Sequence, residues 1–212
     1  MKIESTRLTR LTKDEIHEHR QQLERWQRPA EMLTRSEQLM EYMDSEDFFN
    51  QPGVEFIREA WAAAKFAAAR NADAVRLVAA QERWPDFEMR LAGQVDSWEF
   101  TEADVKRERG REYREGSPRA DGDYIALIDH APQAICSASA RKAAKGYAGR
   151  AGLLIYLNIP SFGARQLETI ESFPRCTASA KDAFREIWVL WKDRAYVVWQ
   201  DGREAIQGPM RP

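Results

Sequence analysis

Cysteine and histidine are scarce in this chain, and strong net charge and long apolar runs are missing. Only Cys136 and Cys176 occur, without CxxC or other metal-type spacing. That excludes a disulfide framework or a cysteine zinc site and leaves two reduced thiols. His17 and His19 fall two apart, so on a helix they point different ways and make no metal pair. Lys and Arg number 32 against 34 Asp and Glu, a net charge of −2. No global basicity announces nucleic acid, and any such surface must come from local clustering. No apolar stretch is long enough to span a bilayer, and the start, Met1-Lys2-Ile3-Glu4-Ser5, lacks the hydrophobic core of a secretory signal. A cytoplasmic protein with no membrane partner is therefore expected. Repeats and low-complexity tracts are lacking as well.

What is present is a chain of 212 residues, enough for one ordinary domain with an appended helical piece and a substantial core. The stretch that organises it runs from Trp84 to Thr101. Phe87, Met89 and Leu91 alternate with Asp86, Glu88 and Arg90 before a Gly-containing turn, and Trp98 and Phe100 alternate with Ser97, Glu99 and Thr101 after it. This predicts a β-hairpin with two chemically opposite faces. With Ala92-Gly93 as a two-residue loop, Leu91 pairs with Gln94 and Phe87 with Trp98, and Asp86 comes opposite Glu99. Facing side chains there lie about 5 Å apart, so two carboxylates need a proton on one of them or a cation between them. A hard ion such as Mg²⁺ suits oxygen ligands of this kind. An ordinary surface hairpin with solvated acids has the same alternation.

A helix followed by strands carrying Pro-Asp and Glu-x-Lys resembles the PD-(D/E)XK, or restriction-endonuclease-like, superfamily of metal-dependent nucleases. Pro85-Asp86 is similar to the family's first acid and Glu99-Phe100-Thr101 to its second half, over residues 53 to 160 or so, with Thr101 where the family usually has lysine. The resemblance implies an α/β (α+β) class: a mixed sheet with an αβββαβ core, carrying an N-terminal helical extension and a C-terminal β-hairpin. It implies Mg²⁺ or Mn²⁺ held by Asp86 and Glu99, with an acid from the preceding helix, Glu59 or Glu55, facing the metal. It also implies that the missing lysine comes from the following helix, as Lys142 or Lys145, and that the protein is a homodimer.

Along the chain, residues 1–50 read as a helical extension packed on the core, residues 51–208 as the α/β domain and 209–212 as a loose tail. Thr12 and Glu15 form a capping box for one helix, a second starts near Ala30, and Asp44-Ser45-Glu46-Asp47 reads as the break after it. The strongest helix runs from Val54 to about Asn71, with Ile57, Trp61, Ala64 and Ala68 on one stripe. In its first turn Glu55 is explained by the helix dipole alone. Ala74–Ala79 offers a first strand. Residues 104–119 read as a charged, Gly-containing connection that is either a substrate-facing loop or merely solvated. Glu102 and Asp104 follow Glu99 closely, but Glu102 alternates to the other face. A helix from Ala131 to about Ala148 carries Arg141, Lys142 and Lys145, and no acid lies between His130 and Glu168. With Tyr147 and Arg150 it is the best phosphate-binding surface, although a solvated helix face has the same composition. Gly152 to Pro160 is a central strand, a helix spans roughly Ala164 to Phe173, and Glu186–Trp191 with Ala195–Trp199 forms a terminal hairpin.

The expected function is a metal-dependent nuclease hydrolysing DNA phosphodiester bonds, with Asp86 and Glu99 on the ion, Glu59 adding a ligand, and Lys142 or Lys145 stabilising charge on the phosphate. Thr101 can donate a hydrogen bond to a water but brings no positive charge. It favours the alternative, a catalytically inactive module of the same fold that binds nucleic acid or a protein partner. A third reading is a different α+β protein using a carboxylate pair for another metal reaction.

Overall fold

A computed structural model of the chain describes residues 10–79, 81–82, 84–103, 121–147, 149–159 and 165–205. Among them are six helices and seven strands: α1 (Lys13–Leu23), α2 (Pro29–Tyr42), α3 (Ser45–Asn50), α4 (Glu55–Ala69), β1 (Ala74–Leu77), β2 (Phe87–Leu91), β3 (Gln94–Ala103), α5 (Asp121–Ala143), β4 (Gly152–Leu157), α6 (Gln166–Cys176), β5 (Glu186–Trp191), β6 (Arg194–Gln200) and β7 (Arg203–Glu204). The strands form one mixed sheet in sequence order. β3, β4 and β5 run parallel and the outer pairs are antiparallel. The two parallel steps are made by crossovers through α5 and α6, as parallel neighbours require. The protein is thus a mixed α+β fold.

Side chains along the central strands alternate between two apolar cores. Leu154, Trp188, Leu190 and Val197 join the alanine-rich inner face of α4 together with Leu23, Met32 and Leu39 from α1 and α2. Leu153, Ile155, Ile187, Val189 and Val198 pack on the other side with Ala131, Ile135 and Ala138 of α5 and Phe173 of α6. Strands buried on both faces read as continuous apolar runs, which is why β4 is conspicuous in the sequence.

The β2–β3 hairpin has the register expected of it: Leu91 pairs with Gln94 and Phe87 with Trp98. Ala92 (φ 49°) and Gly93 (φ 79°) both take the left-handed conformations that a two-residue turn of this type demands. Some boundaries differ. α5 begins at Asp121, ten residues before Ala131, because Pro132 lies inside the helix and not at its start. A proline there removes one donor without ending the helix when the surrounding turns are held by packing. α5 also stops at Ala143, so Lys145 lies past its end. The expected break after α2 falls at Met43-Asp44 and is shorter than Asp44–Asp47, because α3 starts at Ser45 with Asp44 Oδ1 accepting from the Asp47 N–H at 2.8 Å. β7 was not expected, although Asp201-Gly202 between apolar-flanked runs is a hairpin signal.

Candidate active site

β2 and β3 separate at the end of their ladder, and the site lies where they part. The Asp86 N–H still donates to the Trp98 carbonyl at 3.0 Å. The next outward donor of β3, the Phe100 N–H, has no strand partner on that side and donates to Asp86 Oδ2 at 2.7 Å. From Glu99 to Ala103, β3 is paired with β4. The resulting notch has Asp86 on one wall, and the side chains of Glu99 and Thr101 point from β3 toward the α5 layer.

Glu99 is almost completely buried, with 1% of its side chain exposed. Lys142, in the last turn of α5, extends its ammonium to Glu99 Oε2 and Asp86 Oδ2, 2.6 Å from each. The like charges that the hairpin register brings together are therefore bridged by a cation from another element. Tyr147, just beyond α5, donates its hydroxyl to the same Glu99 Oε2 at 2.7 Å. One oxygen of Glu99 thus accepts two bonds, while Oε1 is buried without a hydrogen-bond partner among the described residues. Arg141 places its guanidinium 3.3 Å from the Thr101 hydroxyl.

Glu59, on α4, approaches from the other helical layer. Burial of its carboxyl group, reinforced by the negative charge of Asp86, pushes its pKa up to about 8 against the opposing pull of Arg20 and Lys142. Burial also raises Glu99, again with Asp86 assisting, while Lys142 and Tyr147 pull it back. For Lys142 burial works against the charge, but the two acids outweigh it and hold its pKa above the ordinary value. Tyr147 is raised by burial and by its bond to Glu99. These are the environments in which groups are tuned away from their solution behaviour.

Of the residues singled out by sequence, Asp86, Glu99 and Lys142 are in direct contact. Glu59 feels their charges, and Thr101, on the same face of β3 as Glu99, is bonded to Arg141 and not to the triplet itself. Lys145 is exposed beyond α5 and makes none of these contacts. Glu55 is exposed and accepts from the Gly53 N–H at 2.9 Å, a local cap. Glu102 points to the opposite face, where Arg58 and Asn158 hold it. Asp104 and the charged connection after it lie outside the described residues. The basic surface expected of α5 is therefore divided, with Lys142 buried at the acids and Arg141 and Lys145 exposed. Sequence reasoning missed the role of Arg20, which nothing local signals, and the bond between Tyr147 and Glu99.

Among the described residues no group of three or more His, Cys, Asp or Glu side chains could hold a metal ion on its own. Mg²⁺ asks for less, since it keeps several waters and is commonly held by one or two carboxylates plus substrate phosphate. The unpartnered Oε1 of Glu99 meets that requirement. So does Asp86, whose two bonds among the described residues both fall on Oδ2.

No family model matches the chain, and no curated protein matches it. A solved Pseudomonas aeruginosa structure, described as a protein of unknown function in the monooxygenase superfamily, aligns over 87% of this chain and 93% of its own at a TM-score of 0.43 and 16% identity. So low a likeness transfers no function. It lends no support to the restriction-endonuclease-like reading, and no family model supports that reading either. Pro85-Asp86 and Glu99-Phe100-Thr101 are too short to specify a family, and any hairpin with acids at two such positions brings them together. The assignment to PD-(D/E)XK nucleases is withdrawn, and any chemistry must rest on the geometry of this site.

Proposed function

We propose that the notch between β2 and β3 hydrolyses a phosphodiester, nucleic acid being the substrate class, with Mg²⁺ or Mn²⁺ held by Asp86 and Glu99 and with Glu59 beside them. The observation that carries this reading is the buried, unpartnered Oε1 of Glu99 next to a second carboxylate. A buried polar atom of a charged group without a partner is costly, and a cation is one group that would satisfy it. When bound, such an ion supplies Lewis-acid polarisation of phosphate and a water of lowered pKa.

The chain's own groups divide the remaining work. Lys142, fixed by two acids, offers a pre-oriented positive charge for the oxygens on which negative charge accumulates; removal of one such donor commonly costs about 3 to 4 kcal/mol of barrier. Arg141, at the Thr101 hydroxyl, brings positive charge to a strand position that has none of its own. Glu59, with a pKa raised to about 8, can hold or release a proton in the neutral range.

One observation favours a second reading. Lys142 already pairs with Asp86 and Glu99 at once, so the triplet can persist without an ion in a catalytically inactive module that binds nucleic acid or a protein partner. The two are separated by incubating the protein with bis-p-nitrophenyl phosphate and with duplex and single-stranded DNA in Mg²⁺, Mn²⁺ or EDTA, beside Asp86→Asn and Glu99→Gln. Metal-dependent hydrolysis lost in both variants supports the first reading. Folded protein that hydrolyses none of these substrates supports the second.

A further inference from the structure

We infer that Tyr147 is a positioning residue that, together with Lys142, fixes the rotation of the Glu99 carboxylate so that Oε1 alone is presented as a cation ligand. This rests on the cation-site reading above. The two oxygens of Glu99 are used differently. Oε2 accepts from the Lys142 ammonium at 2.6 Å and from the Tyr147 hydroxyl at 2.7 Å, whereas Oε1 is buried and accepts from no described residue. A carboxylate held by one donor can swing about its terminal bond; held by two donors from different directions on one oxygen, it cannot do so without breaking one of them.

The two donors are not equivalent. Lys142 divides its ammonium between Glu99 and Asp86, so it follows both acids and defines neither orientation alone. Tyr147 donates to Glu99, and its ring is itself anchored against Phe184 at a centroid distance of 4.9 Å. Phe184 belongs to the core beneath α5 and α6, so the hydroxyl is referred to the rigid scaffold and not to the loop that carries it. Groups that orient a ligand carboxylate from behind commonly alter metal affinity by about 10- to 100-fold when removed.

The test is Tyr147→Phe, which keeps the ring and its packing on Phe184 and removes only the donor. Mn²⁺ binding is followed by isothermal titration calorimetry, and the thermal midpoint is recorded in EDTA and in excess Mg²⁺, with Glu99→Gln as the ligand-deleted reference. The expected result is Mn²⁺ affinity weakened by about tenfold or more, a midpoint in EDTA close to that of the wild type, and a smaller rise on adding Mg²⁺. Wild-type affinity in Tyr147→Phe, with binding lost in Glu99→Gln, would overturn the positioning role and leave the cation site standing. Absence of Mn²⁺ binding by the folded wild type would overturn both. Loss of affinity accompanied by an equal fall of the midpoint in EDTA would show a merely structural role and likewise overturn the inference.

Discussion

Trp98 lies directly over Gly152, its partner across the parallel β3–β4 ladder: a Cβ built at position 152 would fall 2.4 Å from a ring carbon of the indole. No real Cβ contact is that short, so a glycine is required by close approach and not by backbone conformation. The indole has little room to retreat, being packed on Phe66 at 4.6 Å and flanked by the guanidinium groups of Arg70 and Arg185, each 5.6 Å from its centroid. Gly152→Ala should therefore destabilise the protein by about 1 to 3 kcal/mol or more, the usual cost of overpacking. At about 2 to 4 °C per kcal/mol for a chain of this size, calorimetry would detect it easily. The pair should also be non-additive: Trp98→Leu with Gly152→Ala should lose less than the two single losses together. An alanine variant as stable as the wild type would mean that the ring is not where we place it.

Lys142 occupies the position where two acids would otherwise meet unscreened. Lys142→Met keeps much of the apolar stem and removes the charge, leaving Glu99 buried beside Asp86 without an ammonium. Breaking a buried ion pair from one side typically costs about 3 to 5 kcal/mol. The sign of the pH dependence follows. Without the cation, the folded pKa of Glu99, already raised by burial and by Asp86, rises further above its unfolded value, so stability is retained at low pH and lost as pH rises. Thermal melts from pH 4.5 to 8 should show the deficit relative to wild type growing with pH. A constant deficit would indicate lost packing alone.

Glu59 gives a second pH signature, this time in the wild type. Its carboxyl is pushed up to about 8 by burial and by Asp86, from an ordinary value of 4.5. Between those two values the unfolded state releases a proton that the folded state keeps, so folding stability falls as pH rises through that window. Glu59→Gln removes the titration while keeping the shape. In metal-free buffer the variant should gain on the wild type from pH 4.5 upward and level off above 8. Parallel stability curves over that range would show that Glu59 ionises as an ordinary surface acid.

How far the sequence predicts this site depends on the range of the interaction that makes it. The facing of Asp86 and Glu99 follows from alternation and a two-residue turn, both local, and could be read directly. The choice of Lys142 over Lys145 depends on the last turn of α5 ending at Ala143, and helix ends are poorly marked where neither a glycine cap nor a proline stop falls at the boundary. The saturation of Glu99 Oε2 joins residues more than forty positions apart and leaves no periodic trace. The charge of Arg20 is felt by Glu59 through the packing of α1 on α4, which no motif encodes. The two-acid hairpin, by contrast, was legible but over-read, since a local pattern can predict a carboxylate pair without specifying the family that carries it.

The two cysteines make the last prediction, which concerns the packing of α5 on α6. Ser139 donates its hydroxyl to the carbonyls of both Cys136 (3.0 Å) and Cys176 (2.8 Å), which ties α5 to the end of α6 at this point. Burial, with the neighbouring Cys136 thiol assisting, pushes Cys176 up to about 11. Since the thiolate is the nucleophile, Cys176 should be both shielded and rarely ionised at pH 8, whereas Cys136 is only half-buried. Native protein treated briefly with iodoacetamide at pH 8 should acquire one label, on Cys136, and a second only after denaturation, as read by peptide mass spectrometry. Cys176→Ser should leave the native labelling stoichiometry unchanged, and Cys136→Ser should abolish it. Rapid native labelling of Cys176 would show that α5 and α6 separate readily, and with them the helix whose last turn delivers Lys142 to the acids.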